Sequence, residues 1–569
     1  MLRITPSTPY PLYDTAATRR IEQAAAATLP PHTLMQRAGL AVARLALALA
    51  PHARTVWVAC GPGNNGGDGL EAAMHLRQWG LAPVVTWLGD EAHAPADARA
   101  SLARARAAGV CFADAPPALQ AQDLCIDALL GIGVTRAPEG RMAAWLAHMA
   151  ASPARSLAVD LPTGLNADTG RWLRPDAIYS EATSDFYTGE NGHFYAENRR
   201  HTLSLLTLKP GLFTCEGRDA CGTLWFDDLG VAPETDMSRS LSDFGIVGCE
   251  CAAAAHFLPS SCPIVPLWGG ESGKNWPRRG PFSLSKPKVR QAPSADMPAS
   301  AWLSGPPAPA PRAHASHKGS FGDVAVVGGE GLARRGLGMT GAALLAASAA
   351  LHGGAGRVLL ALLDDAGLAV DVQQPELMLR RFEVLALEQL SVVCGCGGGE
   401  AVRAVLPAVL EHAARLVLDA DALNTIAATP PLQALLAARA SRGQPTVLTP
   451  HPLEAARLLG TDAASVQADR LRAARALAER FQCVAVLKGS GTVVAAPGAA
   501  PSINPTGNAR LATAGTGDVL AGLIGARLAA GHTALQAACA AVYQHGQAAD
   551  QWLAGRTLTA GALARSLCV

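Results

Sequence analysis

Asn504-Pro505-Thr506-Gly507-Asn508-Ala509-Arg510-Leu511-Ala512-Thr513-Ala514-Gly515-Thr516-Gly517-Asp518 is the stretch from which the rest of the chain can be read. Its last four residues run into an apolar segment with helical spacing. A glycine-rich turn lets backbone N–H groups converge, and a helix starting there adds its positive dipole end, so the turn reads as an anion site. A carboxylate beside bound phosphate is costly unless it does work. For Asp518 that work is to take a proton from a hydroxyl attacking the phosphate. The plainer alternative is a glycine turn with Asp518 as helix N-cap. Upstream, Val484-Ala485-Val486-Leu487-Lys488-Gly489-Ser490-Gly491-Thr492 reads as a buried strand entering a second glycine-rich turn. Its amides suit the phosphates of a nucleotide, and Lys488 offers a point charge.

The Gly-x-Gly-Asp turn resembles the anion hole of ribokinase-like kinases, in which the Asp is catalytic. Outward from it, segments 324–327, 357–361, 391–394, 416–419, 446–448 and 484–488 read as strands with helical stretches between them. Unusual residues sit at the strand ends: Gly395-Cys396-Gly397-Gly398-Gly399, Leu418-Asp419-Ala420-Asp421, and Thr449-Pro450-His451-Pro452-Leu453-Glu454. With His317-Lys318-Gly319-Ser320-Phe321-Gly322, these motifs resemble the ADP- or ATP-dependent NAD(P)HX dehydratases. Cys396 and Leu453 depart from that family's pattern. The resemblance implies that Ala342, Gly399, His451 and Asp518 line the substrate pocket. It also implies that Lys488, Gly489, Ser490, Gly491, Thr492 and Gly517 hold an adenine nucleotide, with Mg²⁺ on its phosphates. His451, between two prolines, has the fixed backbone that suits a presented ring.

The first half repeats the theme. Thr55–Cys60 reads as a buried strand running into Gly61-Pro62-Gly63-Asn64-Asn65-Gly66-Gly67-Asp68-Gly69 and then a helix to Trp79, a phosphate-binding layout. Gly61, Gly63 and Gly66 satisfy GxGxxG, but three polar side chains packed into the turn are foreign to a dinucleotide loop. Two more strand ends carry chemistry: Asp127, leading to Gly131-Ile132-Gly133-Val134-Thr135-Arg136, and Asp160, leading to Pro162-Thr163-Gly164. Asn65, Asp127 and Thr163 offer hard oxygen with a single carboxylate, which suits a monovalent or weakly held cation. Each of these polar residues has a plainer reading as a turn or loop cap. Together with Leu34–Gly39 and Lys209-Pro210-Gly211-Leu212, the motifs resemble the NAD(P)HX epimerases (YjeF N-terminal type). The resemblance implies that Asn64, Asn65, Gly66, Gly67, Asp68 and Gly131, Ile132, Gly133, Val134, Thr135, Arg136, Ala137 line the NAD(P)HX site. It implies that Asn65, Asp127 and Thr163 hold K⁺, and that Asp160 contacts the ring and acts as the epimerisation base. Asp68 and Asp127, carrying like charge, are expected to raise the Asp160 pKa.

Composition bounds the reading. A chain of 569 residues calls for roughly two to four domains. A hydrophobic fraction of 49% supports a large core, and a net charge of +1 with 5% aromatics argues against nucleic acid or an acidic membrane surface as partner. Thirteen cysteines, an odd number, without a leading apolar signal core suggest reduced thiols in a cytoplasm. Cys249-x-Cys251 and Cys394-x-Cys396 read as packing residues. Residues 10–50 read as helical, the polar and aromatic stretch 177–198 as an inserted loop, and Gly269–Lys274 as no P-loop.

The expectation is therefore an α/β chain of two three-layer αβα domains, N-terminal Rossmann-like and C-terminal ribokinase-like. Residues 1–232 form an epimerase domain, 233–311 a partly disordered Pro/Ser/Gly-rich linker, and 312–569 a dehydratase domain. The implied function is repair of hydrated nicotinamide cofactors, with NADHX, NADPHX and ADP as small-molecule partners, and the chain is compatible with a homo-oligomer. The rival readings are a ribokinase-like small-molecule kinase fused to a nucleotide-binding module, and a non-enzymatic sensor.

Overall fold

The computed structural model describes residues 1–173, 199–231, 297–308, 313–363 and 368–567. The expected inserted loop, most of the expected linker, Gly269–Lys274 and the Cys249/Cys251 pair lie outside these residues.

Two mixed sheets carry the chain. The first has eight strands, in spatial order Leu2–Arg3, Thr223–Asp227, Arg200–Leu205, Arg155–Val159, Leu124–Ala128, Val56–Cys60, Pro83–Trp87 and Cys111–Phe112. All neighbours are parallel except the Leu2–Arg3 edge. Val56-Trp57-Val58-Ala59-Cys60 is buried throughout, as a strand covered on both faces must be. Val56 and Val58 join one apolar cluster, while Trp57 and Ala59 join another on the opposite face.

The second sheet has eleven strands: Met378–Leu379, Arg357–Leu362, Asp323–Gly328, Ser391–Cys394, Arg415–Leu418, Thr446–Leu448, Val484–Leu487, Val493–Ala495, Ser502–Ile503, Ala301–Leu303 and Tyr10–Leu12. The same alternation separates Val324 and Val326 from Ala325 and Val327. Both halves are thus three-layer α/β units, as expected. The strand Arg200–Leu205 ends where Leu206 turns left-handed at φ 65°.

The expected domain division is crossed. Tyr10–Leu12, expected to be helical, pairs antiparallel with Ala301–Leu303, and that strand lies inside the expected linker. Ala301–Leu303 in turn pairs parallel with Ser502–Ile503. Leu2–Arg3, a few residues earlier, belongs to the other sheet. Only from Thr15 onward is the segment helical, over Thr15–Ala26 and Thr33–Leu49. The strands Tyr10–Leu12 and Ala301–Leu303 are too short for their periodicity to be read, and their partners are distant in sequence.

Leu12 is fully buried in a core that joins Leu161, Leu165, Leu208 and Leu212 to Leu303, Leu487 and Ile503. Leu12→Ala is expected to cost about 2–5 kcal/mol, seen as a lower urea midpoint. An unchanged midpoint would mean that this strand does not hold the two halves together.

Candidate active sites

In the first unit, Gly63 caps a helix running Asn64–Gln78. Asn64, Asn65, Gly66, Gly67 and Asp68 are therefore its first turns, where a loop was expected. Gly66 is required by packing: a Cβ there would lie 2.0 Å from the Gly61 carbonyl oxygen. Asp160 follows the strand Arg155–Val159 in a left-handed conformation, φ 68°. Non-glycine residues hold such a backbone only where surrounding bonds fix it. Here Asp160 Oδ1 accepts from the Leu205 amide at 3.1 Å and from Lys209 Nζ, which is almost fully buried. Asp160 Oδ2 faces Gly131, at 3.5 Å from where a Cβ would stand, and Asn65 Oδ1 is 3.4 Å from the same point.

The expected electrostatics are corrected in one respect. Asp160 does not stand among like charges alone, because the Lys209 ammonium is bonded to it. The carboxyl pushed well above the usual range is Asp68, raised by burial and then by the charge of Asp160 and Glu22. Glu22 is itself raised, by burial first and Asp160 second. Neither Lys209 nor Glu22 had a role in the sequence reading. Lys209 was signalled by a lone cation in an otherwise apolar strand-to-turn segment; Glu22, on an amphipathic helix, gave no signal.

Asp127 and Thr163 meet directly. Asp127 Oδ1 accepts from the Thr163 hydroxyl at 2.7 Å and from the Leu129 amide at 3.2 Å, and Oδ2 accepts from the Thr163 amide at 2.9 Å. Burial raises the Asp127 pKa despite these bonds. Among the described residues no basic side chain forms an ion pair with Asp127, and the buried Asn65 Nδ2 has no hydrogen-bond partner. A buried carboxylate without a counter-charge, beside hydroxyl and amide oxygen, is a donor set that fits a hard cation. Gly131–Ala137 is a loop, with Val134 buried and Thr135 and Arg136 exposed, and Arg19 of the first helix reaches Gly133.

In the second unit, Gly515 at φ 90° starts the helix Thr516–Ala529, so Asp518 lies in its first turn. Asp518, Asp419 and Cys396 bring their ligand atoms within 4.8 Å of one another. Burial, with Asp419 second, pushes the Asp518 carboxyl up to about 7. Cys396 was expected to be a packing residue, but it faces this cluster. Its thiol is driven well above its usual pKa by burial and then by Asp518, so it stays protonated. A thiol is no ligand for Mg²⁺, so the cluster does not suit that ion.

Lys488 Nζ bonds Asp419 Oδ1 at 2.7 Å. Burial alone would lower the Lys488 pKa, but Asp419 and Glu454 outweigh it and the ammonium persists. Gly517 adjoins Lys488 Nζ, 3.3 Å from a would-be Cβ. Gly399 donates its amide to Asp421 at 2.9 Å, and Ala342 packs against Gly397. His451 Nδ1 accepts from the amides of Leu453 and Glu454 at 3.1 and 3.3 Å, capping the helix Pro452–Leu459. Its Nε2 stands 3.2 Å from Glu454 Oε1, and burial lowers its pKa, so the ring is neutral. In the nucleotide turn, Ser490 Oγ donates to the Cys215 carbonyl of the first unit, and Thr492 Oγ1 donates to the Gly489 carbonyl. His317–Gly322 lies at the other ends of the strands, beside Gly356, and supports the sheet there.

These features define an α/β chain with a cluster of buried carboxylates at the strand ends of each unit. The NAD(P)H-hydrate dehydratase family matches residues 326–568, and the YjeF-related protein N-terminus matches residues 31–211. The chain is 34% identical over 573 residues to the bifunctional NAD(P)H-hydrate repair enzyme Nnr of Escherichia coli, covering 99% of this chain and 93% of that protein. It is 46% identical over 260 residues to the ADP-dependent (S)-NAD(P)H-hydrate dehydratase of Neisseria meningitidis, covering 44% of this chain and 84% of that one. A crystal structure of the ADP/ATP-dependent NAD(P)H-hydrate dehydratase of Bacillus subtilis is 33% identical, with a TM-score of 0.38, covering 45% of this chain and 91% of that chain. The chain belongs to the bifunctional NAD(P)H-hydrate repair enzymes, which unite an epimerase and a dehydratase. A match through both halves leaves the kinase and sensor readings without support.

With its carboxyl pushed up to about 7 by burial, Asp518 is expected to lose its base form below that value. The dehydration kcat/KM is expected to fall about tenfold per pH unit in acid, and an Asp518→Glu variant to shift the inflection. A flat profile between pH 5 and 7 would contradict the base role.

Proposed function

We propose that Asp160 and Asp518 are the two proton-handling carboxylates of this repair enzyme. Asp160, with Asp68 and Glu22 beside it, serves interconversion of the R and S epimers of the C6-hydrated nicotinamide ring. Asn64 to Asp68 and Gly131 to Ala137 line that site. Asp518 takes the proton of the S-epimer hydroxyl as it attacks the terminal phosphoryl of ADP. The O–P bond forms, AMP leaves, and expulsion of phosphate with loss of a ring proton restores NAD(P)H. Ala342, Gly399 and His451 line the substrate side, and Lys488 to Thr492 with Gly517 the nucleotide side. Mg²⁺ would arrive on the nucleotide and screen its phosphates.

The observation that carries the dehydratase reading is Asp518, held near neutrality at a helix N-terminus one residue from Gly517 and its neighbour Lys488. A base poised near working pH combines the correct protonation state with driving force. Lys488 remains cationic beside it. Asn65, Asp127 and Thr163 would hold K⁺, which would neutralise the otherwise uncompensated Asp127. We also read the enzyme as cytoplasmic. The nine described cysteines are free, and no helix among the described residues is long and apolar enough to cross a membrane.

Asp518→Asn should lower NADH recovery from S-NADHX, ADP and Mg²⁺ by roughly 10²–10⁴-fold and leave epimerisation intact. Near-normal recovery would sink the assignment. Asp160→Asn should recover NADH from pure R epimer only at the spontaneous epimerisation rate, and from S epimer at the wild-type rate. For the cation, replacing K⁺ by a large organic cation should lower both epimerase rate and Tm in wild type, with neither change in Asp127→Asn. No response in wild type would remove K⁺ from the site.

A further inference from the structure

The first unit reaches into the turn read above as nucleotide-binding. Cys215 donates its amide to the Ser490 carbonyl at 3.1 Å, and Ser490 Oγ returns a bond to the Cys215 carbonyl at 2.9 Å. The Thr214 hydroxyl lies 3.3 Å from the carbonyls of both Ser490 and Gly491. Gly491 is left-handed at φ 62°, and a Cβ on it would stand 2.1 Å from the Phe213 carbonyl oxygen. The turn is thus shaped to accept the other unit's backbone.

Three residues further along the same segment, Arg218 spreads its guanidinium over the stretch that leads to Asp518. Nη2 donates to the carbonyls of Pro505 at 3.0 Å and Gly507 at 2.8 Å, and Nη1 lies 3.5 Å from that of Thr506. Three successive carbonyls aimed at one point repel one another unless a cation holds them. A planar fork of N–H donors does this better than a point charge. The segment is itself braced by the loop that follows Asp160: Gly217 donates to the Gly170 carbonyl at 3.1 Å, and Gly211 to that of Ala167 at 2.7 Å.

We propose that Phe213–Arg218 of the epimerase unit is a clamp that sets the geometry of the dehydratase's ADP-binding turns, with Arg218 as the positioning residue. The clamp rests on the assignment of Lys488–Thr492 to the nucleotide. Phe213–Cys215 hold the Lys488–Thr492 turn and Arg218 holds residues 505–507 on the stretch that runs to Gly517, so loss of Arg218 loosens the nucleotide side and weakens ADP binding while leaving the chemistry at Asp518 in place.

The test uses the full-length chain, purified S-NADHX, and ADP varied at fixed Mg²⁺. Arg218→Met is expected to raise the KM for ADP roughly tenfold, as the loss of charge-assisted bonds implies, with kcat near wild type. Arg218→Lys should recover part of the loss, and the rate of R-to-S epimerisation should not change. Should Arg218→Met fail to fold, Thr214→Val carries the same test and should show a smaller rise in KM with kcat retained. An unchanged KM for ADP, or a fall in kcat alone, overturns the clamp. Lys488→Ala separates the two claims. If it leaves the ADP KM unchanged, the nucleotide assignment fails and the clamp with it. If it raises that KM while Arg218→Met and Thr214→Val do not, the assignment stands and the clamp fails.

Discussion

Lys209 bonded to Asp160 and Lys488 bonded to Asp419 are the same device used twice. Each lysine is largely withdrawn from water, and each binds one carboxylate at the end of a parallel strand. In both units that end also gathers further acids, Asp68 and Glu22 in the first and Asp518 in the second. One cation against several carboxylates cannot compensate them all. Each lysine is engaged by the carboxylate it bonds, and a neighbouring carboxyl is pushed towards a proton by burial and by nearby negative charge. Parallel sheets open their loops at the carboxyl ends of strands, so this surplus of negative charge sits where ligands arrive. In each site one carboxylate is thus anchored by a lysine while a buried neighbour is pushed towards a proton.

Much of this was legible in the sequence. Buried strands of three to six largely apolar residues, several running directly into glycine or aspartate, locate both sheets and the residues at their mouths. Strand-end position brought Asp127 to Thr163, while the grouping of Gly517 with Lys488 came from the family resemblance. Pairing across long stretches of chain was not legible. Asp160 precedes Lys209 by 49 positions, and Asp419 precedes Lys488 by 69. A lone cation in an apolar segment marks the lysine, but local periodicity does not name the distant carboxylate it will turn towards. Cys396 packs in the core as expected but has a second face that the sequence did not show. Its spacing to Cys394 suggests packing, yet the two point differently: Cys394 belongs to the strand, and Cys396 to the glycine turn beside Asp518.

The two short strands that cross the expected domain division were hidden for a related reason. Tyr10–Leu12 has three residues and Ala301–Leu303 has three, and each makes sense only as the partner of the other. A strand so short carries no readable alternation, and its stability comes from the sheet edge it completes. By adding these two strands to the second sheet the chain also covers an edge that would otherwise stay open to unwanted pairing.

That edge has a consequence for the sites. Ala301–Leu303 pairs with Ser502–Ile503, and the chain then passes through Asn504 to Gly507, whose carbonyls meet Arg218, before reaching Gly515 and Asp518. On the other side of the same turn region, Gly491 packs under Phe213. The glycine turns of the second unit are thus bounded on both sides by residues of the first: a strand near the N-terminus extends the sheet edge, and a loop near residue 215 holds the turns. A family in which one polypeptide carries both activities has an evident reason to share a substrate. In this chain the two units share structure as well, since removing the first would leave Leu303 and Ile503 without Leu12, and the carbonyls of residues 505–507 without their guanidinium. The two activities are fused at the level of hydrogen bonds and core packing, beyond the covalent link of the chain.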